Sequence, residues 1–333
     1  MAKGKLSDVI VPEIFNPYFI QRLAVISAIR SSGIVQQIAG IEVPATGKLL
    51  NLPFWNDLTG VAEVLDDNGN LTEDKITAAD DVAAIHTRGK LWSMNMLVKA
   101  FTGEDPMRVI ADLAADFWSR QEQALLLATL KGVFASASMS GNLLDISAAE
   151  GNAGIITKNT LTDAISVLGD AGQRLTGIIC HSATMYDLAK KSMLDPKLLV
   201  NGADPAPEKQ SYLGRLLIAD DSSPMETVDP GETDPYVVYT TYLFGAGSVG
   251  YAEGELDHMT ETDFDIKSGD DQLALRRKFI MHPRGVKWTP GPSVPAKPTP
   301  SDAELSVGTN WTRAWNNKNI HIVAFKHRIG DLA

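Results

Sequence analysis

The chain has 333 residues, enough for one large domain or two modest ones, and is 44% hydrophobic and 21% charged, as folded globular proteins are. Its net charge of −11 disfavours a surface built to grip nucleic acid, which needs a basic excess. A single cysteine, Cys180, excludes an internal disulfide framework, no apolar run approaches the roughly 20 residues that span a bilayer, and the opening MAKGKLSDVIVPEIF lacks the apolar stretch of a signal peptide.

In chain order, the first forty residues mix apolar and polar groups around Pro12 and Pro17, and residues 18–33 read as a short amphipathic helix ending at Gly33. Such a segment, ahead of any core pattern, is expected to be an arm that docks elsewhere. Residues 48–52 and 85–97 read as two long strands, one leading out and one leading back. Between them Asp66, Asp67, Glu73, Asp74, Asp80 and Asp81 make a charged excursion too polar for a core of its own. Asp105-Pro106 then opens the strongest helix, with an N-cap residue followed by a proline suited to the first turn. Ile110, Leu113, Phe117, Ala124, Leu127 and Leu130 keep helical spacing to about Gly132, which predicts a spine roughly 40 Å long.

A Gly/Ser-rich connection over 135–154 leads to an α/β stretch. Residues 160–168 are expected to be helical with Thr160 as cap, 176–180 a buried strand, and 182–191 a helix with lysines in its last turn. Strands are expected at 215–219, 236–244, 273–281 and 319–325, with a stiff proline-rich linker at 290–300. No internal repeat is present.

One motif suggests chemistry. Gly245, Gly247 and Gly250 spell G-x-G-x-x-G, and Ser248 lies in A-G-S-V-G, close to a hydrolase nucleophile elbow. Both motifs need a strand before the turn and a helix after it, so that phosphate or nucleophile meets the helix N-terminus. The strand is there in 236–244, but Tyr251-Ala-Glu-Gly254 and the charged run 255–265 carry no helical period. The expectation is a tight glycine turn between strands, with a nucleotide-binding enzyme using this loop as the alternative from another class.

Other candidates point to structure. Asp66-Asp67-Asn68-Gly69-Asn70 begins like a calcium loop, yet Leu71 and Thr77 stand where Gly and a bidentate Glu belong, and Asn68-Gly69 suits a hairpin turn. The six histidines form no ligand spacing, and adjacent Cys180 and His181 point to opposite faces of a strand. The sequons at Asn70 and Asn310 mean nothing without secretion. No catalytic, cofactor-binding or metal-binding residue is assigned.

Several phrases together resemble the major capsid proteins of tailed bacteriophages, whose Hong Kong 97-like fold herpesvirus capsids and encapsulins also use. These phrases are Ile178-Ile-Cys-His-Ser-Ala183 with Tyr186-Asp-Leu188, Tyr212-Leu-Gly-Arg215 with Ile218-Ala-Asp-Asp221 and Pro224, and Tyr242-Leu-Phe-Gly245 through Gly250. Arg276-Arg277, Phe279 and His282-Pro283-Arg284-Gly285-Val286-Lys287-Trp288 complete the set. Each is weak alone; their shared order covers nearly the whole chain. The resemblance implies an α+β fold with an N-terminal arm (1–40), an extended β-hairpin loop (41–100), a spine helix (101–135) forming the peripheral domain with 255–290, an axial domain (136–254), and a proline-rich linker with a C-terminal strand (291–333).

By the same resemblance the chain is expected to be a structural, non-enzymatic shell subunit. It would form hexamers and pentamers of an icosahedral head that is assembled in the bacterial cytoplasm and encloses double-stranded DNA. Expected partners are copies of itself, a separate scaffolding protein, a portal and a decoration protein; no cofactor, membrane or sequence-specific DNA contact is implied. An encapsulin-like compartment is the alternative within the fold. Nothing in the sequence assigns the lysine–asparagine crosslink known in one branch. The acidic balance suits a wall along which packaged DNA slides. The excursion 63–84 is expected to clasp a neighbouring subunit, with Arg276, Arg277 and Arg284 as candidate receivers.

Overall fold

The computed structural model describes residues 33–37, 43–44, 47–58, 60–63, 73–95, 97–98, 106–191, 211–228, 236–291 and 299–330. The expected arm helix up to Ser32, the Asp66–Asn70 turn, the Asp105 cap and linker residues 292–298 lie outside them.

The first elements are β1 (Val35–Gln37), β2 (Leu49–Trp55), β3 (Ala78–Ala84) and β4 (His86–Asn95). The strand partners differ from expectation. β2 pairs antiparallel with β3, in register from Leu49↔Ala84 to Trp55↔Ala78. By sequence alone Ala78–Ala84 belongs to the charged excursion. Polarity misleads there because Asp80 and Asp81 have partners, while Val82, Ala83 and Ala84 are buried.

The spine helix α1 (Pro106–Ala135) runs 30 residues, about 45 Å at 1.5 Å per residue. It passes through Gly132, the expected end, because that glycine serves packing. A Cβ there would collide with the Leu305 carbonyl oxygen and crowd Trp311 Nε1. Beyond it come β5 (Leu143–Asp145) and α2 (Lys158–Ser166). Thr157, not Thr160, caps α2. Its side chain accepts from the Thr160 N–H at 3.2 Å, while the Thr160 hydroxyl accepts from the Thr157 N–H at 2.8 Å.

Next are β6 (Leu175–Cys180), α3 (Ser182–Lys190), β7 (Ser211–Tyr212), β8 (Arg215–Ala219), β9 (Met225–Val228), β10 (Tyr236–Gly245) and β11 (Val249–Gly254). The chain closes with β12 (Thr260–Asp265), β13 (Asp270–Pro283), β14 (Val286–Trp288), α4 (Asp302–Leu305), β15 (Trp311–Arg313) and β16 (Ile322–His327). Among the described residues no helix is long and apolar enough to cross a membrane.

Two sheets carry the fold. One has the order β5-β16-β10-β6-β8-β7, with β9 also on β10; the other has β1-β11-β13-β12, with β4 on the free side of β13. β4 therefore returns not to β2 but to β13, paired from Asp270↔Asn95 to Phe279↔His86. The largest core joins α1 (Leu125, Leu126, Leu130, Val133) to Tyr242 and Phe244 of one sheet and Tyr251 and Phe279 of the other. A second lies under the β16 sheet, and a third, with Val43, Ala83, Ile85, Ala252 and Ile280, seats Leu50 and Leu52 of the hairpin.

Candidate functional site

The glycine motif is the hinge between the two sheets. β10 ends at Gly245, and after two turn residues and Ser248 the chain enters β11, a strand where a phosphate or nucleophile site needs a helix. Gly247 has φ +66° and donates its N–H to the Gly33 carbonyl at 3.1 Å; Gly250 lies in the ladder opposite His282. A Cβ on Gly245 would meet His321 Cβ at 2.7 Å and the Arg174 carbonyl oxygen at 2.9 Å. The loop's open side receives the chain's own β1, parallel to β11, with Ile34 fully buried beside Gly177. Close approach of neighbouring chain accounts for Gly245, and the left-handed backbone accounts for Gly247.

The root of the β2–β3 hairpin is held by two adjacent carboxylates that alternate across the strand. Asp81 is buried, with Oδ1 2.9 Å from His282 Nε2 and Oδ2 accepting from the Gly285 N–H at 3.0 Å. Asp80 accepts from Lys287 Nζ at 2.7 Å, which lowers its pKa. His86, just beyond, is buried in contact with the Phe279 ring; burial, reinforced by Arg88 and His282, pushes its pKa down to about 3. Past this root the hairpin leaves the body: Trp55, Leu58 and Val61 are 69%, 77% and 92% exposed. Asp57, Glu63, Glu73 and Asp74 flank them. An apolar, acidic finger of this kind is suited to contact, not to chemistry.

Two consecutive polar residues on α1 grip the two sheets. Glu122 accepts from Arg277 Nη1 at 2.5 Å, and Arg277 also holds the Glu253 carboxylate and, at 3.1 Å, the Tyr251 hydroxyl. Gln123 donates from Nε2 to the buried Asp220 carboxylate at the end of β8. Neither residue had been singled out from sequence; polar side chains inside an otherwise apolar helical face were the available signal. Between α1 and β4, a cavity of about 290 Å³ is lined by Arg88, Lys90, Phe117, Trp118, Phe279 and Asp302 among others.

The sequence candidates are scattered. Arg277 is spent inside its own subunit, and Arg276 is bound to Glu261 at 2.5 Å and to the His258 carbonyl at 2.9 Å. Both already pair within their own subunit, Arg276 remaining 42% exposed, and Arg284 is half-buried. Cys180 is buried and its thiol is pushed up to about 12, while His181 Nδ1 caps α3 by accepting from the Ala183 N–H at 3.1 Å. Among the described residues no group of three or more His, Cys, Asp or Glu could hold a metal ion.

Comparison with known proteins places this arrangement of linked sheets, gripped spine, projecting finger and docked N-terminal strand. The curated major capsid protein of Bacillus phage SPP1 is 41% identical over 333 residues, covering 99% of each chain. Among solved structures, the capsid of Ralstonia phage GP4 superposes with a TM-score of 0.66 at 10% identity, covering 99% of this chain and 98% of that one. The SrpI encapsulin of Synechococcus elongatus PCC 7942 gives 0.56 at 9% identity, covering 96% and 95%. At such identities the structures establish the fold, the Hong Kong 97-like capsid fold in α+β form. Residues 38–320 match the family described as major capsid protein 13-like, and the chain belongs to that family.

Proposed function

We propose that this major capsid protein builds hexamers and pentamers of an icosahedral head enclosing double-stranded DNA, and that it has no catalytic role. The carrying observation is the finger beyond Trp55, whose large apolar side chains find no cover among the described residues. Burying such a surface against copies of the chain is favourable at about 25 cal/mol per Å². Within this reading, residues 1–40 are an arm, 41–100 the extended loop, 101–135 with 255–290 the peripheral domain, 136–254 the axial domain, and 291–333 a linker and final strand. β11, within 136–254, pairs along its length with β13, so the two domains share a sheet. A scaffolding protein, a portal and a decoration protein are the proposed partners, and a net charge of −11 disfavours adhesion of the packaged DNA. Assembly would take place in the host cytoplasm.

An encapsulin-like compartment is the weaker reading, because likeness there is confined to fold while sequence identity runs to a phage protein. Electron microscopy of the purified chain, with and without a co-expressed scaffold, tests the proposal. Closed shells are expected; a stable 35.9 kDa monomer under both conditions overturns it.

A further inference from the structure

The phrase Tyr212-Leu-Gly-Arg215 forms a turn whose backbone breaks a local rule. Tyr212 pairs with Arg215 across β7 and β8, leaving Leu213 and Gly214 as a two-residue turn with φ +48° and +71°. Turns of this kind favour Asn, Asp or Gly first, because a branched apolar side chain strains the left-handed region. Leu213 is nevertheless there, 46% exposed, and joins none of the core clusters formed by the described residues.

Arg215 breaks a second local rule. Nη1 donates to the Leu213 carbonyl at 3.2 Å and Nη2 to the Gly172 carbonyl at 3.3 Å, while Nε is buried and has no hydrogen-bond partner among the described residues. Burial lowers its pKa, and among the described residues no carboxylate pairs with it. A partly desolvated guanidinium normally has an anionic partner. Both residues lie at the outermost strand pair of the seven-stranded sheet. Local rules broken without a gain among the described residues point to a gain supplied from elsewhere.

We propose that the β7–β8 turn is a contact between copies of this chain, in which Leu213 enters an apolar recess of the next copy and Arg215 meets one of its carboxylates. The inference rests on shell assembly as proposed above. A second copy suits the site because the chain carries 41 acidic against 30 basic residues, and because an apolar knob beside the cation suits a protein surface better than a phosphate backbone.

The test uses the inertness of Cys180, buried with its thiol at about 12, as a silent background for L213C. Maleimide should label L213C at least about tenfold more slowly in DNA-free shells than in unassembled subunits, since an assembled contact excludes solvent. Equal rates overturn the proposal, as does protection found only in DNA-filled particles. R215E should form no shells where the parent chain does, with its melting midpoint lowered by no more than about 4 °C, and R215K should retain some assembly. Shells from R215E at parental yield also overturn it. Failure of the parent chain itself to assemble overturns the functional reading together with this one.

Discussion

Acid should destabilise this subunit before its carboxylates titrate, and two buried histidines set the size of the effect. His86 and His327 are inside the core, and burial is the leading cause that lowers their pKa values, to about 3 and about 4. In the unfolded chain both titrate near 6.5. The folded-state values are depressed, so between pH 6.5 and 4 the unfolded state binds more protons, and stability falls as pH falls. The penalty is absent well above pH 6.5 and stops growing below the folded values. At pH 5, about 1.5 units below the unfolded value, each histidine costs about 1.5 × 1.36, or about 2 kcal/mol. The pair therefore costs about 4 kcal/mol between pH 7.5 and 5, whatever the folded values are, provided both stay below 5.

Urea unfolding of the unassembled subunit at both pH values measures this directly, and H327Q isolates one site. A glutamine can replace the bonds of His327 to the Thr241 hydroxyl (2.9 Å) and the Arg328 carbonyl (3.2 Å) without charging. The pH-dependent loss in H327Q should be smaller than the parent's by about 2 kcal/mol. An identical loss in parent and variant would refute the reasoning, as would a parent whose stability is flat to pH 5.

Gly247→Ala should destabilise by about 1 kcal/mol or more through its positive φ, measured by thermal melting; nucleotide binding lost with it would revive the phosphate-loop reading. Asp81→Ala strands the buried His282 ring and the Gly285 N–H and should cost about 3 kcal/mol in urea; a cost under about 0.5 kcal/mol would show the hairpin root is not held there. Replacing 57–76 with a short Gly/Ser turn should leave melting nearly unchanged but impair shell formation. The same replacement extended through 84 should unfold the subunit, because it removes buried Val82, Ala83 and Ala84, and circular dichroism beside electron microscopy separates the two outcomes.

The spine helix, the strand before the glycines and the order of elements were legible because their causes are local: a 3.6-residue apolar period, β-branched runs, and glycines at a sharp turn. The failure of the nucleotide motif was equally legible, since 251–265 lacks a helical period. Pairing was not legible. Ala78–Ala84 reads as solvated until His282 and Lys287, some two hundred residues later, bond to Asp81 and Asp80. Arg276 and Arg277 read as free cations until Glu261, Glu122 and Glu253 fold onto them. Gly132 reads as a helix end until Leu305 packs against it. In each case the residue's environment is supplied by chain distant in sequence, and a window of neighbours carries no record of which distant partner will arrive.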